Sequence, residues 1–240
     1  MQCHKCAYFM SYFIAGYHFQ NLTNLKELNL DTSRIKKIDK TFFEHITQIK
    51  GLDLTQNRGI QIDGSSFSEL KELVEFTCHS CFIQNLEGNL FSGLTNLRSI
   101  SLHDNKISEI RPGTFDTATA LERLTLNRNR LRTLPSGIFK NNINLTSVNL
   151  SYNNFSSLPP ELFKYNTKMK LFRMDVNGDK NPYMGHPMSS ALKMTLPGSM
   201  FPQSIEVSLG SSDQYPLRPV PWLWKLDQCH HAEFFDQRAT

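Results

Sequence analysis

The sequence predicts an α/β-type repeat solenoid, a horseshoe with a parallel β-sheet on its concave side and short irregular or 3-10 turns on its convex side. A motif of the form LxxLxLxxNxLxxLPxxxF stands at residues 121–139 and returns at residues 145–163. The apolar positions of this motif recur every 24 residues along most of the chain. Such self-similarity indicates stacked units that share one continuous core.

Each repeat is predicted to begin with a short strand. Side chains of a strand point alternately to its two faces, so Leu124 and Leu126 point inward while Arg123 and Thr125 point outward. Successive strands are expected to stack in parallel about 4.8 Å apart, because so short a repeat leaves no room for a long crossover helix. The central inward position is filled along the chain by Leu28, Leu52, Phe76, Ile100, Leu124, Val148 and Phe172.

After each strand the motif places an inward Asn, and near its end a Phe. A buried amide both donates and accepts hydrogen bonds, so the Asn is predicted to satisfy backbone groups of the arc that follows the strand. The Phe rings are predicted to form a spine at the back of the core. The Asn position holds Ser33, Asn57, Cys81, Asn105, Asn129, Asn153 and Asn177, and the Phe position holds Phe19, Phe43, Phe67, Phe91, Phe115, Phe139 and Phe163.

The repeat pattern divides the chain into four segments. Residues 23–177 hold the regular 24-residue repeats, and residues 1–22 are interpreted as a partial, degenerate repeat. Residues 178–209 are interpreted as an insertion loop and a degenerate repeat, because their LPGSMF resembles the earlier LPSGIF. Residues 210–240 form a Pro-rich tail of uncertain fold, since its prolines exclude a regular helix or a central strand.

Two interpretations of the first 22 residues remain open. Counting back 24 residues places Phe19 in register with Phe43 and Cys6 in register with Leu30, as expected of a degenerate repeat. The basic start and apolar middle of residues 1–16 instead suggest a signal-like segment. No window of the chain has the roughly 18 uncharged apolar residues that a membrane span needs, so no span is predicted.

Composition and motif content argue against several function classes. The 240 residues are 39% hydrophobic and 20% charged with a net charge of +4, as expected of one sizeable soluble domain. The sequence contains no nucleophile elbow, phosphate-binding Gly loop or paired carboxylates, so we predict no enzyme and no cofactor. Nucleic acid is not expected as a partner, because the net charge is small and no aromatic residue beyond Phe82 interleaves the basic stripe described below.

Two CxxC motifs, one from Cys3 to Cys6 and one from Cys78 to Cys81, raise the possibility of a four-cysteine zinc site. The motifs lie about three repeats apart, which at the strand spacing is roughly 14 Å. Zinc needs all four sulfurs at about 2.3 Å. We therefore predict no metal site and interpret Cys78 and Cys81, which occupy inward positions of their repeat, as buried thiols.

The outward positions of the strands predict a ligand-binding surface on the concave side, because solenoids commonly bind their partners there. Repeats 2–5 carry the richest polar set on this surface. Two neighbouring histidines within the set predict binding that depends on pH near their ordinary pKa of about 6.5. The set consists of Glu75, Thr77, His79, Ser99, Ser101, His103 and Asp104, and the earlier concave rows add Glu27, Asp31 and Asp53.

The residue after each Asn position defines a basic stripe along one flank. A solvated flank is the simplest interpretation of such a stripe. The alternative is a docking edge for an acidic partner, formed by Arg58, Lys106 and Arg130. The full stripe reads Arg34, Arg58, Phe82, Lys106, Arg130 and Asn154, and is widened by Lys36, Arg128 and Arg132.

Four sequons match the acceptor pattern for N-glycosylation, at Asn21, Asn144, Asn149 and Asn154. Asn21 and Asn144 are the favoured carriers, because both come just before a predicted strand. Asn149 is the least favoured, since it lies within a strand between two inward residues and would direct a glycan off the concave face.

Residues 94–118, LTNLRSISLHDNKISEIRPGTFDTA, resemble the extracellular leucine-rich repeats of Toll and Toll-like receptors, and LPSGIF and LPPELF resemble insect Toll in particular. The resemblance covers about residues 7–209 and implies a leucine-rich repeat horseshoe. It also implies binding of a cytokine-like protein or a microbial ligand, receptor dimerisation, and signalling in innate immunity or development. The sequence departs from the family in having no membrane span, no TIR-like domain and no terminal cysteine clusters, which favours a fragment or truncated form.

These observations predict a protein–protein recognition module that is extracellular or on the cell surface. Its expected partner is a protein, such as a cystine-knot cytokine, or a microbial ligand, with a receptor dimer as a further possibility. One alternative is a cytosolic leucine-rich repeat scaffold or adaptor, which the odd number of five cysteines favours. Another is a truncated product without independent function.

Overall fold

The computed structural model describes residues 14–175 and 177 in full, and the backbone of residues 6–8 and 206–208. Within these residues the chain forms short strands and one 3-10 helix, η1, at Gly16–Phe19. In chain order the strands are β1 Cys6–Tyr8, β2 Glu27–Asn29, β3 Lys37–Ile38, β4 Gly51–Asp53, β5 Gln61–Ile62, β6 Glu75–Thr77, β7 Asn85–Leu86, β8 Ser99–Ser101, β9 Glu109–Ile110, β10 Arg123–Thr125, β11 Ser147–Asn149, β12 Leu171–Arg173 and β13 Glu206–Ser208.

The three-residue strands form one parallel sheet in the order β1-β2-β4-β6-β8-β10-β11-β12-β13. Between β2 and β12 every strand pairs with the equivalent residues of the next repeat, so that Leu28 lies opposite Leu52 and Leu124 opposite Val148. This register confirms the 24-residue period. The inward side chains of these strands are buried in a single apolar core. The predicted repeat solenoid with a parallel concave sheet is therefore confirmed.

The register of the first strand differs from the prediction. Ala7 of β1 lies opposite Leu28, and Cys6 lies opposite Glu27. A strict 24-residue count places Cys6 opposite Leu30, so that assignment was wrong. Phe19 keeps its predicted place in the core. The number of residues from Ala7 to Phe19 is therefore smaller than the number from Leu28 to Phe43 in the next repeat.

The convex side consists of turns, as predicted, with no α-helix among the described residues. Two small parallel sheets lie along it, one pairing β3 with β5 and the other pairing β7 with β9. At the far end of the large sheet, β13 pairs with β12 and places Val207 opposite Phe172. Apart from the backbone of 206–208, the segment 178–209, interpreted as an insertion loop and a degenerate repeat, lies outside the described residues, as does the tail at 210–240.

The Phe spine is confirmed. All seven rings are buried, and from Phe43 to Phe163 each ring centroid lies 5.5–6.4 Å from the next. Phe115 and Phe139 stack at 6.0 Å with an interplanar angle of 26°. Phe42 interposes its ring between Phe19 and Phe43, with centroid distances of 5.6 and 4.9 Å. The spine fills the back of the core continuously.

The inward Asn series forms the predicted backbone ladder. Asn105 donates from Nδ2 to the carbonyls of Cys78 at 2.7 Å and Leu102 at 3.0 Å, and its Oδ1 accepts from the backbone N–H of Ile83 at 3.1 Å. A second Asn series was missed by the sequence analysis. Asn142 and Asn166 each donate to two carbonyls behind the spine, at 2.8–3.1 Å. A buried amide satisfies backbone groups wherever the arc has no strand partner.

The prediction of buried thiols at Cys78 and Cys81 was only half correct. Both side chains are fully buried, but their sulfurs form a disulfide bond. Cys78 follows a strand directly and Cys81 occupies the Asn position three residues later, with the two Cα atoms 5.9 Å apart. That separation lies within the range that a disulfide spans. Both residues point inward from the same arc, which brings their sulfurs together.

Candidate functional site

Equivalent outward residues of successive strands form rows across the concave sheet. The first row runs through Glu27, Gly51, Glu75, Ser99 and Arg123. The Glu27 carboxylate lies where a Cβ on Gly51 would be, so a larger residue at position 51 would displace it. Glu75 reaches across Ser99 to Arg123, with the carboxylate 3.6 Å from the guanidinium. Long charged side chains thus lie over small neighbours and cover them.

This covering changes the predicted binding surface. Thr77 and Ser99, which the sequence places on it, are buried and offer little to a ligand. Glu75, Ser101, His79 and His103 are half-buried, and Asp104 is exposed. Alternation along a strand identifies which residues point outward, but the height of the neighbouring side chains decides which of them reach solvent.

The two predicted histidines are brought together. The rings of His79 and His103 stack with their centroids 4.4 Å apart and an interplanar angle of 15°. Burial lowers the pKa of His103 to about 4, with a further lowering from His79, against a smaller raising effect of Asp104. The expectation that both histidines titrate near 6.5 was therefore wrong for His103. Its neutral form dominates at physiological pH.

Carboxylates lie on the N-terminal side of the histidine pair. Burial raises the pKa of Asp53, although hydrogen bonds from Thr55 oppose the shift. Burial and then the charge of Asp53 raise the pKa of Asp31, and the charge of His79 acts in the opposite direction for both carboxyls. The carboxyl groups of Asp31 and Asp53 therefore interact with each other and with His79 on the concave side of the first repeats.

The predicted basic flank is present and has an aromatic residue at its centre. Phe82 is 37% exposed. The guanidinium carbon of Arg58 lies 5.4 Å from the Phe82 ring centroid, and Lys106 Nζ lies 3.9 Å from it. Arg130 is exposed further along the stripe, and Arg128 lies over the Tyr152 ring at 5.2 Å. The structure thus brings Arg58 and Lys106 together around Phe82.

Beside Phe82 lies a cleft of about 270 Å³ that the sequence analysis missed. Its position follows from Gly59, which stands two residues after Asn57. In the other repeats from Ser33 to Asn153 an aliphatic or aromatic residue stands there, such as Ile35, Ile83 or Ile107. The exception at Gly59 was the available signal.

The sequons differ in how far their amides are engaged. Asn21 is exposed. Asn144 donates to the Thr119 carbonyl at 3.0 Å and accepts from Lys168 Nζ at 2.7 Å. Asn149 accepts from the Ser151 N–H at 3.0 Å, and the Asn154 Oδ1 atom is buried. Asn21 therefore has the freest amide of the four.

Neither metal ligation nor a membrane span is found where the structure describes the chain. No group of three or more His, Cys, Asp or Glu side chains in that part could hold a metal ion. No helix in the same residues is long and apolar enough to cross a bilayer. The motif from Cys3 to Cys6 lies outside the residues whose side chains are described.

Comparisons with protein families identify the repeats. A family model described as BspA type Leucine rich repeat region matches residues 56–170 in six copies, and one described as Leucine rich repeat matches residues 23–81. Together the two matches extend over 23–170, more than half of the chain. No curated protein matches the sequence.

Solved structures share the fold, with 352 matching chains. A crystal structure of a TLR13–ssRNA13 complex matches with a TM-score of 0.63 and 29% identity, over 71% of this chain and 23% of that one. The Toll–Spatzle complex, described as a molecular hub in Drosophila development and innate immunity, matches with a TM-score of 0.51 and 20% identity, over 69% of this chain and 28% of that one. The latter similarity shows the fold alone.

The chain spans about a quarter of the length of the solved structures it resembles. In addition, one of these structures is a complex with single-stranded RNA. The expectation that nucleic acid is excluded as a partner therefore finds no support in the comparisons.

Proposed function

Because this chain belongs to the leucine-rich repeat family and shares its fold with Toll and Toll-like receptor ectodomains, we propose that it binds a protein ligand on its concave sheet. The fold is a non-enzymatic recognition fold. We place the module outside the cell or on its surface, in innate immune or developmental signalling. A microbial ligand and a receptor dimer are the further possibilities that the family resemblance supports.

The stacked pair of His79 and His103 carries the proposal. The two residues follow β6 and β8, each two positions after the strand ends, and both strands are held in register by backbone pairing on both sides. The two rings are therefore presented without rearrangement. Rigid aromatic groups lose little conformational entropy when a partner packs on them. Asp31 interacts electrostatically with His79. Glu75, which pairs with Arg123, begins the strand that precedes His79.

The charge of this surface favours a protein ligand over nucleic acid. Glu27, Asp31, Asp53 and Glu75 surround the first repeats of the concave sheet and would repel a phosphate backbone. A protein can meet the same carboxylates with basic or hydrogen-bonding side chains. Single-stranded RNA, which the similarity to the TLR13 complex makes the second candidate, would have to use the basic flank instead.

The test is a binding assay with a cystine-knot cytokine, with a 13-nucleotide single-stranded RNA as a parallel probe. We expect His79→Ala/His103→Ala to weaken cytokine binding at least tenfold, or about 1.4 kcal/mol. The matched control is His18→Ala/His45→Ala, which removes two histidines away from the pair and is expected to leave affinity unchanged.

The charge-reversed variant Arg58→Glu/Lys106→Glu tests the flank in the same assay. A cytokine loss in this variant alone would move the contact from the concave sheet to the flank. Unchanged affinity in both double variants would refute the proposed surface. RNA binding that depends on the flank, with no cytokine binding, would favour the second candidate.

A further inference from the structure

The small convex sheets are interrupted at one place. β3 pairs with β5 and β7 pairs with β9, but β5 and β7 are not paired with each other. Gln61 at the start of β5 donates to the Lys36 carbonyl at 2.9 Å, and no equivalent bond joins β7 back to β5 in the described part of the chain. The two small sheets are therefore not continuous with each other between these neighbouring repeats.

Two departures from the repeat pattern meet at this gap. Elsewhere the residue two places after the Asn position donates its N–H to the Asn of the next repeat, as Ile35 does to Asn57 Oδ1 at 2.8 Å. The next repeat after Asn57 has Cys81 at the Asn position and so has no amide to accept such a bond. Gly59 instead donates to the Cys81 carbonyl at 2.8 Å, in a backbone conformation with φ of 78° that glycine adopts without strain.

The absence of a side chain at Gly59 leaves space that is not refilled. A Cβ built on Gly59 would meet no atom within 4 Å. The resulting cleft of about 270 Å³ is lined by both polar and apolar side chains, and Phe82 forms part of its wall. The polar residues of the lining are Gln61, Gln84, Asn85 and Glu87. The apolar residues of the lining are Ile60, Ile62, Ile83 and Leu90.

The charge around the cleft is positive. Arg58 and Lys106 approach the Phe82 ring and form no ion pair with any carboxylate in the described residues. Glu87 also lines the cleft, but its carboxylate pairs with Arg111 at 3.4 Å. Two cations thus remain available beside a cleft whose wall includes Phe82 and four aliphatic side chains.

We propose that this cleft is an anchor site for one apolar side chain, of about the size of Leu or Phe, on a protein segment whose neighbouring residues are acidic. The cleft is smaller than the roughly 300 Å³ at which small-molecule sites begin, so it suits a single side chain rather than a whole ligand. Acidic neighbours would meet Arg58 and Lys106. The inference rests on the proposed recognition function and assigns a second contact surface to it.

A protein segment fits the flank better than single-stranded RNA does. RNA-binding grooves stack successive bases on several aromatic side chains. The exposed large apolar residues in the described part of the chain are Tyr17, Phe82, Ile143 and Tyr165, and of these only Phe82 lies in the basic stripe. The faces of its ring are also approached by two cations, which leaves little room for a stacked base.

The test measures fluorescence anisotropy of labelled peptides with the full chain. We expect the peptide EDLDE to bind at least tenfold more tightly than EDGDE, which has no apolar side chain, and KKLKK, of opposite charge, to show no binding. Phe82→Ala and Arg58→Glu/Lys106→Glu should each weaken EDLDE binding at least fivefold. Phe82 is partly exposed, so its replacement leaves the core intact.

Matched controls come from the same chain. Tyr165→Ala removes an exposed aromatic ring that also lies near a lysine, with Lys164 Nζ 5.9 Å from its centroid. Arg132→Glu/Lys170→Glu makes the same charge change away from the cleft. Both controls should bind EDLDE as the wild type does.

Equal affinity for EDLDE and EDGDE would overturn the proposal, as would equal losses in the control variants. A 13-nucleotide oligouridylate that binds through Phe82, without peptide binding, would replace the acidic segment with RNA. The peptide assay needs no cytokine, so a negative result would refute the anchor site without refuting cytokine binding on the concave sheet. The variant His79→Ala/His103→Ala should bind EDLDE normally.

Discussion

At the scale of a residue, the inward Asn shows how one side chain supports two repeats. Asn129 donates to the Leu102 carbonyl of the preceding repeat at 3.0 Å and to the Leu126 carbonyl of its own at 2.9 Å. Its Oδ1 accepts from the Ile107 N–H at 3.0 Å. Three backbone groups that are cut off from water are thereby satisfied, and each would cost about 1–3 kcal/mol if left unpaired.

His103 predicts how stability depends on pH. An unfolded histidine takes up a proton near pH 6.5, whereas His103 in the folded chain does so near pH 4. The unfolded state therefore binds more protons in this window, and the free energy of unfolding falls as the pH drops through it. We expect a loss of roughly 2 kcal/mol from this group between pH 7 and pH 4.5.

The measurement is urea denaturation at both pH values for wild type and His103→Gln. The variant should lose clearly less stability on acidification than the wild type does. The pKa values of Asp31 and Asp53 are raised in the folded chain, so these two groups increase the free energy of unfolding as the pH falls. Both groups are present in the wild type and in the variant, so the comparison still isolates His103. His45→Gln is the control. An identical pH dependence in His103→Gln and wild type would contradict the depressed pKa.

At the scale of an element, each repeat contributes one strand, one buried Asn or its substitute, and one Phe. None of these pieces is stable alone, because a three-residue strand and a single ring bury little surface without neighbours. Phe139 contacts the rings of the repeats before and after it, at 6.0 and 5.5 Å. Loss of one ring therefore affects three repeats.

Phe139→Ala is expected to lower the free energy of unfolding by about 3–5 kcal/mol, because the ring is fully buried and its removal leaves a cavity in the spine. Denaturant unfolding followed by circular dichroism measures the change. The control is Ile143→Ala, since Ile143 is 54% exposed and surface substitutions usually change stability by less than about 0.5 kcal/mol. A loss below about 1 kcal/mol for Phe139→Ala would be incompatible with a packed spine.

At the scale of the whole molecule, the solenoid separates charge. The concave side of the first repeats carries Glu27, Asp31 and Asp53, whereas the flank carries Arg58 and Lys106 beside the cleft. A partner that reaches from the concave sheet to the flank would meet acidic and basic surfaces in turn. This arrangement favours a protein with a mixed charge pattern over a uniformly charged polymer.

Extracellular location predicts occupied sequons. When the chain is secreted from a glycosylating cell, we expect glycans at Asn21, which is exposed, and at Asn144, which can keep its bond to the Thr119 carbonyl through the remaining amide hydrogen. Intact-mass measurement before and after glycosidase treatment reports occupancy, and Asn21→Gln and Asn144→Gln assign it. A secreted product without any glycan would contradict the prediction. Asn149→Gln is the control and should leave the mass shift unchanged.

Periodicity alone was enough to predict the solenoid, the strand centres and the Phe spine. A 24-residue repeat of Leu, Asn and Phe admits one way of burying its apolar side chains, so positions such as Leu124, Asn129 and Phe139 could be assigned before any contact was known. The displaced first strand shows the limit of this reasoning. A fixed count of 24 residues misplaces β1, because fewer residues separate Ala7 from Phe19 than separate Leu28 from Phe43.

The surface depended on contacts between repeats that no period encodes. Burial of Ser99 and the low pKa of His103 both arise from neighbours in adjacent repeats. The cleft at Gly59 arises because a missing side chain in one repeat coincides with a missing amide in the next. The 24-residue period predicts which residues point inward. The binding surface depends instead on how side chains of different size and charge pack at positions that do not follow the period.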